Sequence, residues 1–182
     1  MKLRFLESEI QSWAKKYQYP RGETSLLDLR AEVQQAGYIT KDQLSLVAHW
    51  KAPRSAGHVE KNSECYVKEI TSWAFSAKEE RSRIEVLTLL NGVLWPSASV
   101  ILHLFHKEPY PILDFRALWS IEQNVPKQYS YSFWWAYVRF CRAVSVRNSV
   151  DIRTFDRALW QYSKENQNAL LGDQDDAPLR TP

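Results

Sequence analysis

Apolar positions along this chain recur mostly three and four residues apart, and no stretch alternates cleanly at period two, so the pattern predicts helices throughout. Leu3, Leu6, Ile10, Trp13 and Tyr17 mark a first amphipathic helix, which Pro20-Arg21-Gly22 ends. A second runs from about Thr24 to Gln35 and is stopped by Gly37. Thr40 with Gln43 has the form of a capping box and opens a helix to about Trp50. Lys51 to Gly57, containing Pro53, is predicted as loop, and the next helix covers about Ser63 to Phe75. Ser76 with Glu79 repeats the capping-box pattern ahead of a helix to about Leu90. After Asn91-Gly92-Val93-Leu94-Trp95, Pro96 suits the first turn of another helix, ending near Phe105. His106 to Leu113 is loop, with Pro109 and Pro111, and Asp114 is placed as the N-cap of the helix that begins at Phe115. Later helices cover roughly Ser132 to Val144 and Asp151 to Lys164. The fold class expected is all-α, one helical unit over residues 1–171, with an acidic tail at 172–182 read as disordered.

Composition narrows the chemistry. With 182 residues and 45% apolar positions, the chain can bury a core without staples. Eight tryptophans and nine tyrosines exceed what packing alone needs and leave rings for a pocket or a stacking surface. The two cysteines, Cys65 and Cys141, form no CxxC or Cys/His cluster, which argues against zinc and against an iron–sulfur cluster. They read as buried thiols in a reducing compartment. No signal peptide or membrane-length apolar run is visible, and the best apolar run, Val100 to Phe105, is interrupted by His103; the expected location is cytoplasmic, without a membrane partner. The net charge is +3, and Asp173, Asp175 and Asp176 place negative charge on the tail, so the body is mildly basic. That balance is compatible with a nucleic-acid partner without requiring one.

The segment that carries chemistry is Leu90 to Trp119: helix, glycine turn, helix, proline-rich loop, aspartate, helix. Leu90-Asn91-Gly92-Val93 followed by Ser97-Ala98-Ser99-Val100-Ile101-Leu102 resembles the hairpin of the helix-hairpin-helix, endonuclease III-like DNA glycosylases. In that family the pattern is Leu-Pro-Gly-Val-Gly, two variable residues, Thr-Ala and an apolar helix. Downstream comes an apolar loop ending in an aspartate, and Pro111-Ile112-Leu113-Asp114 fills that place. The family's lyase lysine aligns with Pro96, and the 18 positions from Pro96 to Asp114 match the separation in endonuclease III itself. The resemblance covers about thirty of the 182 residues closely.

The resemblance implies a two-lobed endonuclease III-like fold with the hairpin at about 83–105 and the aspartate loop at 106–114. It implies double-stranded DNA as partner and removal of an altered base as activity. A glycine turn lets backbone approach a phosphate, and the amides opening the second helix bind it. Gly92, Val93, Leu94 and Ser97 would form this backbone anchor, with a monovalent cation held by turn carbonyls; Trp95 is either core or flanks the phosphate or the pocket, Lys107 is a solvated charge or a phosphate contact, and Arg116 meets a phosphate or forms a surface ion pair. Asp114 would be the catalytic carboxylate, stabilising positive charge that develops on the deoxyribose as the base leaves. Two departures shape the expectation. Leu94 replaces the second glycine, and Trp95-Pro96 replaces a basic pair, so any excision should proceed without a lysine nucleophile at that position and without strand cleavage.

Other residues have plainer readings. Asp114 serves equally as a helix cap, and Gly92 as a helix C-terminal glycine. His103 sits among apolar neighbours as a core histidine, Phe133-Trp134-Trp135-Tyr137 is mostly core, and Arg153, Arg157 and Lys164 form a solvated face. The alternatives to a glycosylase are a non-catalytic DNA-binding member and a protein-interaction module that keeps the fold.

Overall fold

Side-chain caps set many of the helix starts. A computed structural model describes residues 1–18 and 22–167, and the acidic tail lies outside them. Ten α-helices occur among the described residues, with no strand: α1 Ile10–Lys16, α2 Glu23–Asp28, α3 Arg30–Ala36, α4 Lys41–Lys51, α5 Glu64–Ser76, α6 Glu80–Leu87, α7 Trp95–Phe105, α8 Phe115–Ser120, α9 Tyr131–Arg147 and α10 Ile152–Asn166. Short 3-10 segments cover Glu7–Glu9 and Pro53–Lys61. Thr40 and Gln43 form the capping box of α4. Ser63, Asp114, Ser130 and Asp151 cap α5, α8, α9 and α10 by accepting from early backbone amides. Each such cap is worth about 1 kcal/mol.

The core is organised around α7. Every residue from Ala98 to Phe105 is buried, so this helix is covered on all sides. Helices α3, α4 and α6 pack against it. Helix α9 contributes Trp134, Tyr137, Val138, Cys141 and Val144, all fully buried. The N-terminal segment returns to the C-terminal one: α1 lies along α10, and α8 packs on α10 as well. Phe5 and Trp13 close on Tyr162 of α10 at ring-centroid distances of 4.7 and 5.1 Å. No helix among the described residues is long and apolar enough to cross a membrane.

Several boundaries differ from the sequence reading. Leu3 and Leu6 precede the first helix rather than belonging to it. Lys2 and Arg4 donate their amides to the carbonyls of Ile121 and Ser120 at 3.2 and 3.0 Å, so the extended N-terminus satisfies orphan carbonyls at the end of α8. The second predicted helix is two, broken at Leu29. The predicted loop after Lys51 is the 3-10 segment, which buries Ala56 and Val59. The Ser76–Glu79 capping box does not form. Ser76 ends α5 and donates its hydroxyl back to Ser72 O at 2.8 Å, while Glu79 takes the N-cap position of α6. Helix α6 stops at Leu87, beyond which Thr88, Leu89 and Leu90 make tighter 3-10 bonds to Glu85, Val86 and Leu87. Cys65 is exposed, and only Cys141 is a buried thiol.

Candidate functional site

The loop between α7 and α8 delivers Asp114, and four buried side chains fix that loop. His103 of α7 places Nδ1 2.6 Å from Tyr110 O, the satisfied core role its apolar surroundings suggested. The Tyr137 hydroxyl donates to Ile112 O at 2.9 Å. Ile112 N donates to Asp156 Oδ1 at 3.0 Å. Ser99 donates its hydroxyl to Pro96 O at 2.7 Å and accepts from Leu113 N at 2.8 Å, one residue before the aspartate. Ser99→Ala therefore strands a buried amide, and a loss of about 1–3 kcal/mol is expected. Urea denaturation checks this; a loss below about 0.5 kcal/mol, the range of ordinary surface substitutions, would show that Ser99 does not hold the loop.

Both oxygens of the Asp114 carboxylate are engaged. Oδ1 accepts from Arg116 N at 2.9 Å, the N-cap bond of α8. Oδ2 accepts from Lys51 Nζ at 2.5 Å, a residue 63 positions away at the end of α4. The two side chains are only 13% and 15% exposed. Burial pushes the Asp114 acidity toward the neutral form, but the Lys51 charge and hydrogen bond, with the Arg116 amide and charge, outweigh it and hold the carboxyl below its ordinary 3.8. Asp114 is thus an ionised carboxylate. Its charge also reaches Tyr129, whose hydroxyl is pushed up to about 12, first by burial and then by Asp114.

Asp114 and Lys51 face a cavity of about 180 Å³. Tyr17, Trp50 and Trp160 supply its aromatic walls, and Arg153 with Asp156 adds a second ion pair. Arg153 Nη1 donates to Asp156 Oδ2 at 2.6 Å, and its Nη2 meets Glu23, a carboxylate with no exposed surface. This corrects the solvated-face reading of α10. Arg153 and Arg157 are partly buried, 5.5 and 5.8 Å from the Tyr17 ring centroid, and only Lys164 is exposed, 5.2 Å from that of Trp160. In the aromatic run of α9, Trp134 and Tyr137 are buried, and Phe133 and Trp135 are partly so.

Residues 88–94 join α6 to α7 through the turn at Gly92. At Gly92, φ is +79°, and a Cβ there would lie 2.9 Å from Val59 Cγ1 and 3.0 Å from Val59 N. The glycine is thus required by close packing on the 3-10 segment. Asn62 clamps the turn: its Oδ1 accepts from Asn91 N at 2.9 Å and its Nδ2 donates to Asn91 O at 3.0 Å. Val93 is buried, while Leu94 is 66% exposed at the N-cap of α7. Ala98 N makes the first helical bond, to Leu94 O at 2.8 Å, so the amides of Trp95 and Ser97 precede it and Pro96 has none. Trp95 is half-buried beside Trp134, at 6.4 Å between centroids. Lys107 is exposed in the loop, and Arg116 lies over Phe115 and Trp160 at 5.1 and 5.6 Å. Of the carbonyls expected to hold a cation, Leu90 O accepts from Val93 N at 3.0 Å and Asn91 O from Asn62. No group of three or more metal-ligating side chains is found among the described residues.

Sequence reasoning missed Lys51, Asp156 and Glu23. Local pattern carries no signal for Lys51, which reaches the cavity from α4, or for Glu23, which meets Arg153 from α2. Asp156 had one: it lies three residues after Arg153 on the same helix, a spacing at which opposite charges meet. Comparison with protein-family profiles, with curated proteins and with solved structures gives no match.

Proposed function

We propose that this protein is a monofunctional DNA N-glycosylase, removing an altered base by hydrolysis of its N-glycosidic bond. The observation that carries the reading is Asp114: an ionised carboxylate, oriented by a helix cap, on the wall of an aromatic-sided cavity. Loss of a base develops positive charge at C1′ of the sugar, and a fixed carboxylate in a site of low dielectric stabilises that charge. A carboxyl held more acidic than its ordinary state acts mainly through this charge and less as a proton acceptor. The extruded base would enter the cavity against Tyr17, Trp50 or Trp160, as base-modifying enzymes require. The hairpin residues Gly92 to Ser97 would hold the backbone, with Lys107 and Arg116 near phosphates. Pro96 leaves the hairpin without an amine nucleophile.

A second reading has its own support. The exposed Leu94 at the hairpin apex, with the Asn91 peptide already taken by Asn62, suits an apolar protein contact. Duplex binding over a salt series separates the two. Glycosylase function predicts an affinity that falls linearly in a log–log plot against salt, and tighter binding to a duplex with a stable abasic analogue. An absence of salt-dependent binding would favour the protein-interaction module.

A further inference from the structure

Between the Lys51–Asp114 pair and the turn at Gly92 runs the 3-10 segment Pro53–Lys61. It begins two positions after Lys51, and towards its other end His58 and Val59 lie against Gly92 while Asn62 clamps Asn91. Nine residues is long for a 3-10 helix, a form in which residues three apart stack in lines. One line, Ala56 and Val59 with Asn62 following, is buried and fastens the segment to the body. The other lines face outward, and Arg54, Gly57, His58, Glu60 and Lys61 are all exposed. Glu60 is the one acid of the segment, and it is already held by Lys41 at 3.4 Å and by Ser45 at 3.0 Å. The outer surface is therefore cationic or hydrogen-bond donating along its length.

Gly57 on that surface has no structural reason to be glycine. Its φ is not in the left-handed region, and a Cβ built there meets no described atom within 4 Å. Gly92 is the contrast, with φ of +79° and a Cβ contact at 2.9 Å. A glycine required by neither backbone nor packing costs stability, because the unfolded chain gains freedom. What the missing Cβ provides is room for an external backbone to approach the main chain.

We infer that the outer surface of Pro53–Lys61 is a contact for the sugar–phosphate backbone of duplex DNA, with Arg54, His58 and Lys61 meeting phosphates and Gly57 admitting the strand to the main chain. The choice of DNA as the partner rests on the proposed base excision. At about 2 Å per residue the segment extends roughly 16 Å, and the phosphates of one strand follow each other every ~3.4 Å along the duplex axis. One strand can therefore run along the segment from the Gly92 turn towards Asp114. Such a contact reads no sequence and sets register instead. Because the buried line and the Asn62 clamp hold the segment to the Gly92 turn, the two move as one surface, and a strand lying on both is fixed relative to the cavity.

The test uses the full chain and a labelled duplex carrying one stable abasic analogue, titrated over a salt series with three variants. Gly57→Ala should weaken binding at least fivefold while its urea midpoint stays level or rises, as an alanine in open space on ordinary backbone allows. Lys61→Gln should lower the salt slope by about 1, the loss of one phosphate contact. Lys2→Gln removes the same charge from an exposed lysine on the N-terminal segment beside α8, and should stay within about twofold of wild type. Wild-type affinity in Gly57→Ala, a lowered urea midpoint there, or a loss in Lys61→Gln no greater than in Lys2→Gln would overturn the inference, as would a wild type that binds no duplex. Base release from damaged duplexes, measured alongside, separates this contact from the excision reading. Release of a base with both segment variants binding as wild type removes the contact and keeps the glycosylase. Weakened binding in both variants, with no base released from any duplex, keeps the contact and removes the glycosylase.

Discussion

Asp114→Asn is expected to lower base release on the order of 100-fold or more, the scale at which one charge-stabilising or proton-handling group contributes to a transition state. The amide is nearly isosteric and keeps an oxygen that can accept from Arg116 N, so the cap of α8 persists. What disappears is the negative charge. Duplex affinity should change little, because phosphate contacts dominate it. Single-turnover base release by matched, folded samples checks this; release within about threefold of wild type would remove Asp114 from the chemistry. The same substitution has a signature in stability. A carboxyl more acidic in the folded chain than its ordinary 3.8 contributes stability above that value and loses it as pH falls through the folded one. Asp114→Asn should therefore lower stability at neutral pH, where Lys51 loses its counter-charge, and flatten the acid limb of the profile.

Gly92→Ala is expected to destabilise the fold by about 2–4 kcal/mol, and Gly37→Ala by about 1 kcal/mol. Both glycines have positive φ, +79° and +77°, so alanine meets the same left-handed backbone cost at each. They differ in surroundings. Nothing lies within 4 Å of a Cβ at Gly37, whereas one at Gly92 meets Val59 Cγ1 at 2.9 Å and the Val59 backbone nitrogen at 3.0 Å. A backbone atom cannot swing aside as a side-chain tip can, so the turn must separate from the 3-10 segment. That separation would strain the Asn62 clamp on Asn91. Denaturant midpoints of the two variants isolate the packing term; equal losses would mean that the close approach is not rigid.

How much of this was legible in the sequence depends on how far apart the cooperating residues lie. The helical period, the α4 capping box, the N-cap role of Asp114 and the entry of Pro96 into α7 are local, and the sequence displays them. Ser76 failed as a cap because a serine hydroxyl can also bond back one helical turn, and α5 offers it Ser72 O. The first helix was drawn too long because Leu3 and Leu6 share its spacing, while the backbone there serves the carbonyls of α8. The cavity was not legible at all. Lys51 meets Asp114 across 63 positions, Asp156 meets Ile112 across 44, and Glu23 meets Arg153 from α2. Periodicity records which face of a helix is covered and carries no information about which charge on another helix covers it. Gly92 shows the reverse case: the residue was singled out, and its physical reason, contact with Val59, lay thirty-odd positions upstream.

The most direct test of the central claim is base release by the wild-type protein from a panel of duplexes carrying damaged, modified or mismatched bases, scored as alkali-labile abasic sites with Asp114→Asn beside it. Excision of at least one base, lost in Asp114→Asn, is the expected result. Release of no base from any duplex, or release that Asp114→Asn leaves intact, would contradict it.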